Sequence, residues 1–217
     1  MASPVISILL PHLRTPFNDA ALKVALDCLV DNTGLDYELV IEAVQERRDI
    51  YRVLNAMAAR ALGEWIVFHN SDVFVAPGWL EPLYEARDVD AIVSPVLVEC
   101  GAIGVAPVNL ARNYGMTPQT FRREAFEAWV AGGGEMPGVP DGVRRWYFPS
   151  LLSRQSFLDM GGFDTARGSF PADPLDIWYW DKWEAAGKTF RAARSFVYHL
   201  QAWSSEFEQQ KPVRHSG

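Results

Sequence analysis

Apolar residues along the chain fall into short blocks and helical stripes that alternate in a regular order. Val5-Ile-Ser-Ile-Leu-Leu10 is a nearly unbroken apolar run that reads as a buried strand, halted by Pro11. Asn18 or Asp19 offers a cap for a helix whose positions Leu22, Ala25, Leu26, Leu29 and Val30 share one face, ended by Asp31-Asn-Thr-Gly34. Glu38-Leu-Val-Ile-Glu42 predicts a second strand. Ile50, Leu54, Met57, Ala58 and Ala61 make a second helical stripe, closed by Gly63. Trp65 to Phe68 is a third strand and Ala91 to Val96 a fourth. Strands that alternate with helices in this way predict an α/β fold, a mostly parallel central sheet flanked by helices.

The middle of the chain changes character. Thr117-Pro118 is a helix start, a cap followed by Pro at the first helical position, and the helix predicted from it runs through Phe121, Ala125 and Trp129. Ala131 to Gly142 is rich in Gly and Pro and reads as a mobile loop. No internal repeat and no second core is visible, so a single domain is expected over 1–217. Its halves are 1–96 and 97–205, followed by a polar tail, 206–217.

Composition narrows the function classes. The 217 residues carry 20 Lys and Arg against 27 Asp and Glu, a formal net charge of −7. Such a chain lacks the overall field that draws proteins to nucleic acid or anionic membranes. Cys28 and Cys100, the two cysteines, suggest neither a disulfide framework nor a metal site, and reduced thiols fit a cytoplasmic protein. No run is long enough for a membrane span, and the first ten residues lack the basic start of a secretory signal, so no membrane insertion is expected.

Candidate chemistry concentrates in Trp65-Ile-Val-Phe-His-Asn-Ser-Asp-Val-Phe-Val-Ala-Pro-Gly-Trp79. The apolar strand breaks at Asn70-Ser71-Asp72, which delivers a carboxylate to the carboxyl edge of the sheet, where open α/β sheets bind ligands. The competing reading is an Asp that starts a turn. No glycine-rich phosphate loop is present, which disfavours kinases and dehydrogenases.

The order of segments resembles the family 2 nucleotide-sugar glycosyltransferases, which have the GT-A (Rossmann-like) fold. Six pieces carry the resemblance: Val5 to Pro11; Asn55 with Ala61-Leu-Gly-Glu-Trp-Ile-Val-Phe68; Asn70-Ser-Asp72 with Pro77-Gly-Trp-Leu80; Gly161-Gly-Phe-Asp164; Asp176 through Ala186-Gly187; and Val197-Tyr-His199. The resemblance implies a nucleotide-sugar-binding first half and an acceptor-binding second half. It implies transfer from a nucleoside diphosphate sugar, UDP-linked by default, to an acceptor hydroxyl with inversion. Mn²⁺ or Mg²⁺ would stabilise the leaving diphosphate as a Lewis acid. Asp72 is the candidate metal carboxylate, with Asn70 where the family's first motif Asp stands. His199 is either a second metal ligand or a satisfied core histidine.

Asp176 falls where the family carries its general base, with Leu175 in place of the usual Glu; Asp173 is the competing choice, and either can be a helix cap. Around the donor, the resemblance implies Pro11, His12, Arg14, Glu42, Arg52, Asn55, Asn70 and Ser71. Glu42 lacks the family's usual following segment, and Arg47, Arg48 and Arg52 meet phosphates or form a solvated basic face. Trp178, Trp180 and Trp183 are either core or an acceptor platform. The acceptor is a protein, a small glycoside or a modified nucleotide, including DNA, with the acidic composition weighing against DNA. The expected site is the cytoplasm, the host's if the gene is a bacteriophage's. Two rivals remain: a non-catalytic GT-A binding protein, motivated by Asn70 and Leu175, and a nucleotidyltransferase.

Overall fold

The computed structural model describes residues 5–100, 109–137, 148–168 and 175–200. Its elements follow in chain order: β1 (Ile6–Leu13), α1 (Pro16–Asn32), β2 (Tyr37–Val44), α2 (Ile50–Arg60), β3 (Trp65–Phe68), β4 (Val73–Val75), α3 (Leu80–Glu85) and β5 (Ala91–Glu99). They continue with β6 (Asn109–Ala111), α4 (Arg123–Ala131), β7 (Ser150–Ser153), α5 (Arg154–Asp159), α6 (Leu175–Ala185) and β8 (Thr189–His199).

Eight strands form one sheet in the order β2-β1-β3-β7-β5-β8-β4, with β6 against β5. The GT-A-like α/β expectation holds, and the sheet is mixed rather than simply parallel. β1 runs parallel to β2 and β3, and β5 parallel to β6 and β8. β7 is antiparallel to both β3 and β5, and β4 to β8. The reversals share a consequence. The starts of β4 and β7 join the carboxyl ends of β1, β2, β3, β5 and β8 along one edge.

Side-chain alternation divides the core between the two faces. Ile6, Ile8 and Leu10 of β1 pack with Ala21, Ala25 and Leu29 of α1, with Trp79 and with Phe126 of α4. Leu9, Ile66, Phe68 and Leu152 face the other way, onto Leu54, Met57 and Ala58 of α2 and Trp180 and Trp183 of α6. Those two tryptophans are buried, so the core reading of them is correct; Trp178 is partly exposed beneath the Arg167 guanidinium, 3.7 Å from its ring centre.

Several local expectations change. β1 continues through Pro11 to Leu13. The Leu9 carbonyl accepts from the His69 N–H, so the next backbone nitrogen on that side is Pro11's, where β3 has already ended. A missing N–H costs nothing there. Thr15, not Asn18 or Asp19, caps α1: its hydroxyl accepts from the Asn18 N–H at 3.1 Å, with Pro16 in the first turn. Gly63 is no helix cap. A Cβ there would lie 2.6 Å from the Ser7 nitrogen, so the loop presses on β1 where only glycine fits. Thr117-Pro118 starts a single 3₁₀ turn, closed by Thr120, and α4 begins later, at Arg123. The fourth strand passes Val96 and reaches Glu99 through an irregularity at Pro95. The tail and Asp173 lie outside the described residues.

Candidate active site

Asp72 and His199 come together because β4 and β8 are antiparallel, with Val73 opposite His199. The Leu200 N–H donates to the Asp72 carbonyl at 3.0 Å, which fixes the motif loop on the end of β8. His199 Nε2 stands 3.3 Å from Asp72 Oδ2, and its Nδ1 is 2.7 Å from Glu99 Oε1. Burial pulls the His199 imidazolium down, but the two carboxylates outweigh it and hold the group up at about 10. Burial likewise raises the Asp72 carboxyl, and the facing imidazole more than reverses this, leaving Asp72 below the usual carboxylate range. Among the described residues no group of three or more His, Cys, Asp or Glu side chains is arranged to hold a metal ion.

The rest of the motif loop is shielded. Ser71 is buried and Asn70 partly buried, its carbonyl accepting from the Val73 N–H. His69 is fully buried beside Trp79, its Nδ1 2.8 Å from the Asn70 carbonyl, and burial pushes it down to about 4. It is a neutral core group.

At the other side of the edge, β1 and β2 align Pro11 with Glu42. His12 is buried, with Nε2 2.7 Å from Asp19 Oδ1 and Nδ1 without a partner. Arg14 reaches the same carboxylate from solvent at 3.4 Å. Glu42 pairs with Arg60, while Arg52 is exposed and pairs with Asp49 at 3.3 Å. Arg48 pairs with Glu46. The Asn55 amide is engaged elsewhere: it donates to the Phe163 carbonyl at 2.8 Å and accepts from the Phe163 N–H at 2.9 Å. That double bond clasps the Gly161-Gly162-Phe163 turn to α2.

Asp176, in the first turn of α6, accepts from the Tyr51 hydroxyl at 2.7 Å. Tyr51 opens α2, which leaves the carboxyl edge after β2, so Asp176 stands at the same edge as the motif loop. Burial raises its carboxyl, and the Tyr51 hydrogen bond and backbone amides offset this only in part. A carboxylate so poised is suited to take a proton. Burial also raises Tyr51, which stays a donor. The preceding Leu175 is buried core.

Sequence reasoning missed Glu99 and Tyr51. Glu99 carried a signal, an acid closing a buried apolar strand as at Asp72, hidden because the strand was ended at Val96. Tyr51 carried none, since an aromatic residue in a helix stripe reads as core.

Residues 34–124 match the model of glycosyl transferase family 2. That span holds Glu42, Asn55, the Asn70–Asp72 loop and Glu99, and stops short of Asp176 and His199, which stand on geometry. The chain is similar to the probable N-acetylgalactosaminyltransferase 8 of Caenorhabditis elegans, 24% identical over 193 residues. The match takes in 84% of this chain and 44% of that protein, so the chain spans less than half of its relative's length. No helix among the described residues is long and apolar enough to cross a membrane. The chain is thus similar to glycosyl transferase family 2 over residues 34–124, and its single mixed sheet flanked by helices is consistent with a GT-A-like architecture.

Proposed function

We propose that this chain moves a sugar from a nucleoside diphosphate donor to an acceptor hydroxyl by a single inverting displacement, with Asp176 as general base. The observation that carries the reading is the meeting of Asp72 and His199 on the same sheet edge as the poised Asp176. The donor set fits a divalent cation. One carboxylate oxygen and one imidazole nitrogen, whose other ring nitrogen faces a carboxylate, suit Mn²⁺ or Mg²⁺ and leave positions for diphosphate oxygens and water. Such an ion, when bound, supplies Lewis-acid stabilisation of the departing diphosphate. With Asn70 in place of an acid, Asp72 and His199 are the two protein ligands proposed, and Asn70 and Ser71 shape the loop.

The acceptor hydroxyl gives its proton to the Asp176 carboxylate as its oxygen attacks the anomeric carbon. Tyr51 holds that carboxylate in one orientation, and Asn55 secures the turn packed against Tyr51, whose ring lies 4.9 Å from Phe163's. His12, Arg14, Pro11 and Glu42 lie where the nucleotide would cross the ends of β1 and β2, with UDP first among the candidates. Arg52 is assigned to the phosphate approach on position alone. The relative's name makes an N-acetylgalactosamine donor the first to test.

The test is release of nucleoside diphosphate from UDP-, GDP- and dTDP-sugars, with and without Mn²⁺, comparing wild type with Asp72→Ala. Metal-dependent hydrolysis of one donor, lost in the variant, is expected. Nucleotide binding without turnover, with any acceptor offered, would instead favour a non-catalytic binding protein.

A further inference from the structure

We propose that Glu99 is the positioning residue of the metal site, holding His199 so that Nε2 is presented beside Asp72. The inference rests on the metal-dependent reading above. Three strand ends create the arrangement. Parallel pairing of β5 and β8 sets Glu99 opposite His199, and pairing of β5 with β6 brings Asn109 alongside. Glu99 Oε1 lies 2.7 Å from His199 Nδ1, and Oε2 accepts from Asn109 Nδ2 at 2.7 Å. The Glu99 side chain is 6% exposed, so both carboxylate oxygens are engaged and the group has one orientation.

An imidazole that ligates through one nitrogen must carry its proton on the other. A carboxylate facing Nδ1 fixes that tautomer, orients the ring and raises the basicity of Nε2. A mere clip joining β5, β6 and β8 would not require a charge there. Glutamine would fill the same space, accept from His199 Nδ1 through its oxygen and, with the Asn109 amide turned over, donate to Asn109 Oδ1, whereas a carboxylate sunk into a strand end is costly unless it is paired. The chain places a buried acid at a position that addresses the imidazole facing Asp72.

Mn²⁺ is titrated into the full chain, and the unbound ion is counted by its electron paramagnetic resonance signal, with and without UDP. Thermal melting is followed on the same samples. Wild type should bind Mn²⁺, His199→Ala should lose affinity, and Glu99→Gln should weaken binding by about 10–100-fold with its fold intact. Asn109→Ala, which frees one oxygen of Glu99 without touching its charge, should weaken it by a smaller factor. Glu99→Gln binding Mn²⁺ as wild type does would overturn the assignment of Glu99 and leave the metal site standing. If His199→Ala were silent while Glu99→Gln weakened binding, the route through His199 would be wrong. Should the Gln variant fail to fold, unchanged affinity in Asn109→Ala overturns the proposal. Absence of Mn²⁺ binding by wild type, even with UDP, removes the metal reading and Glu99's role together.

Discussion

Keeping Asp176 ionised opposes folding. Burial raises its carboxyl, so the folded state holds the proton more tightly than the unfolded chain does. Stability from this group is present at low pH and is lost as pH rises past the ordinary Asp range. At neutral pH, Asp176→Asn should therefore raise the thermal midpoint while lowering kcat by about 10²–10⁴-fold, the usual worth of a general base. Calorimetry and a turnover assay together check this, and a variant that loses stability along with activity would mark Asp176 as structural. The Tyr51 hydroxyl favours the charged form, so Tyr51→Phe should raise the Asp176 carboxyl further. The acidic limb of kcat/KM should then move to higher pH with the plateau largely kept. An unmoved limb would remove Asp176 from the proton-transfer step. At this scale the sequence displayed Asp72, His199 and Asp176, because acids and a histidine beside apolar strands and a helix start are visible in one dimension. Tyr51 and Glu99 acquire meaning only through partners 125 and 100 residues away.

Among the elements, the Gly161-Gly162-Phe163 turn is tightly constrained. Gly162 has φ +61°, and a Cβ there would lie 2.6 Å from Asn55 Oδ1. Gly162→Ala must therefore both strain the backbone and displace the amide that satisfies Phe163 at both ends. A loss of about 1–3 kcal/mol is expected. That corresponds to a fall of about 2–4 °C in midpoint per kcal/mol for a chain of this size. Urea unfolding measures it, and an unchanged midpoint would mean that α2 and the turn move apart freely. Asn55, expected to contact the donor, has both ends of its amide engaged by the Phe163 backbone. Long apolar runs such as β1, β3 and β5 were legible from the sequence. β4, with three residues, and β7, with two apolar residues between Ser150 and Ser153, are too short for any periodicity to declare. Their place is set by pairing with β8 and β3, which no local pattern encodes.

At the scale of the whole molecule, two reversed strands allow residues far apart in sequence to share one edge, and strand–helix alternation alone did not reveal them. α4 packs on the sheet through Phe126, which is fully buried, through Trp129 and Val130, which rest partly buried on the same core, and through a polar network. Arg123 reaches Glu127 at 2.7 Å and Asp31 at 2.8 Å, and Asn32 of α1 donates to both Glu127 and the Val75 carbonyl at 2.8 Å. Arg123 is thus a charge that joins α4 to the helix following β1. Its removal leaves Glu127 and Asp31 without this cation, while the apolar contacts of Phe126, Trp129 and Val130 remain. Arg123→Ala should loosen α4 as a local unit. Hydrogen exchange should rise across 123–131, the amides of β1 and β3 should stay protected, and nucleotide binding should be unchanged. If the second half receives the acceptor, as the family resemblance implies, transfer should fall while hydrolysis of the donor persists. A uniform rise in exchange over the sheet would instead make α4 part of the global folding unit, and loss of nucleotide binding would place the donor site against α4.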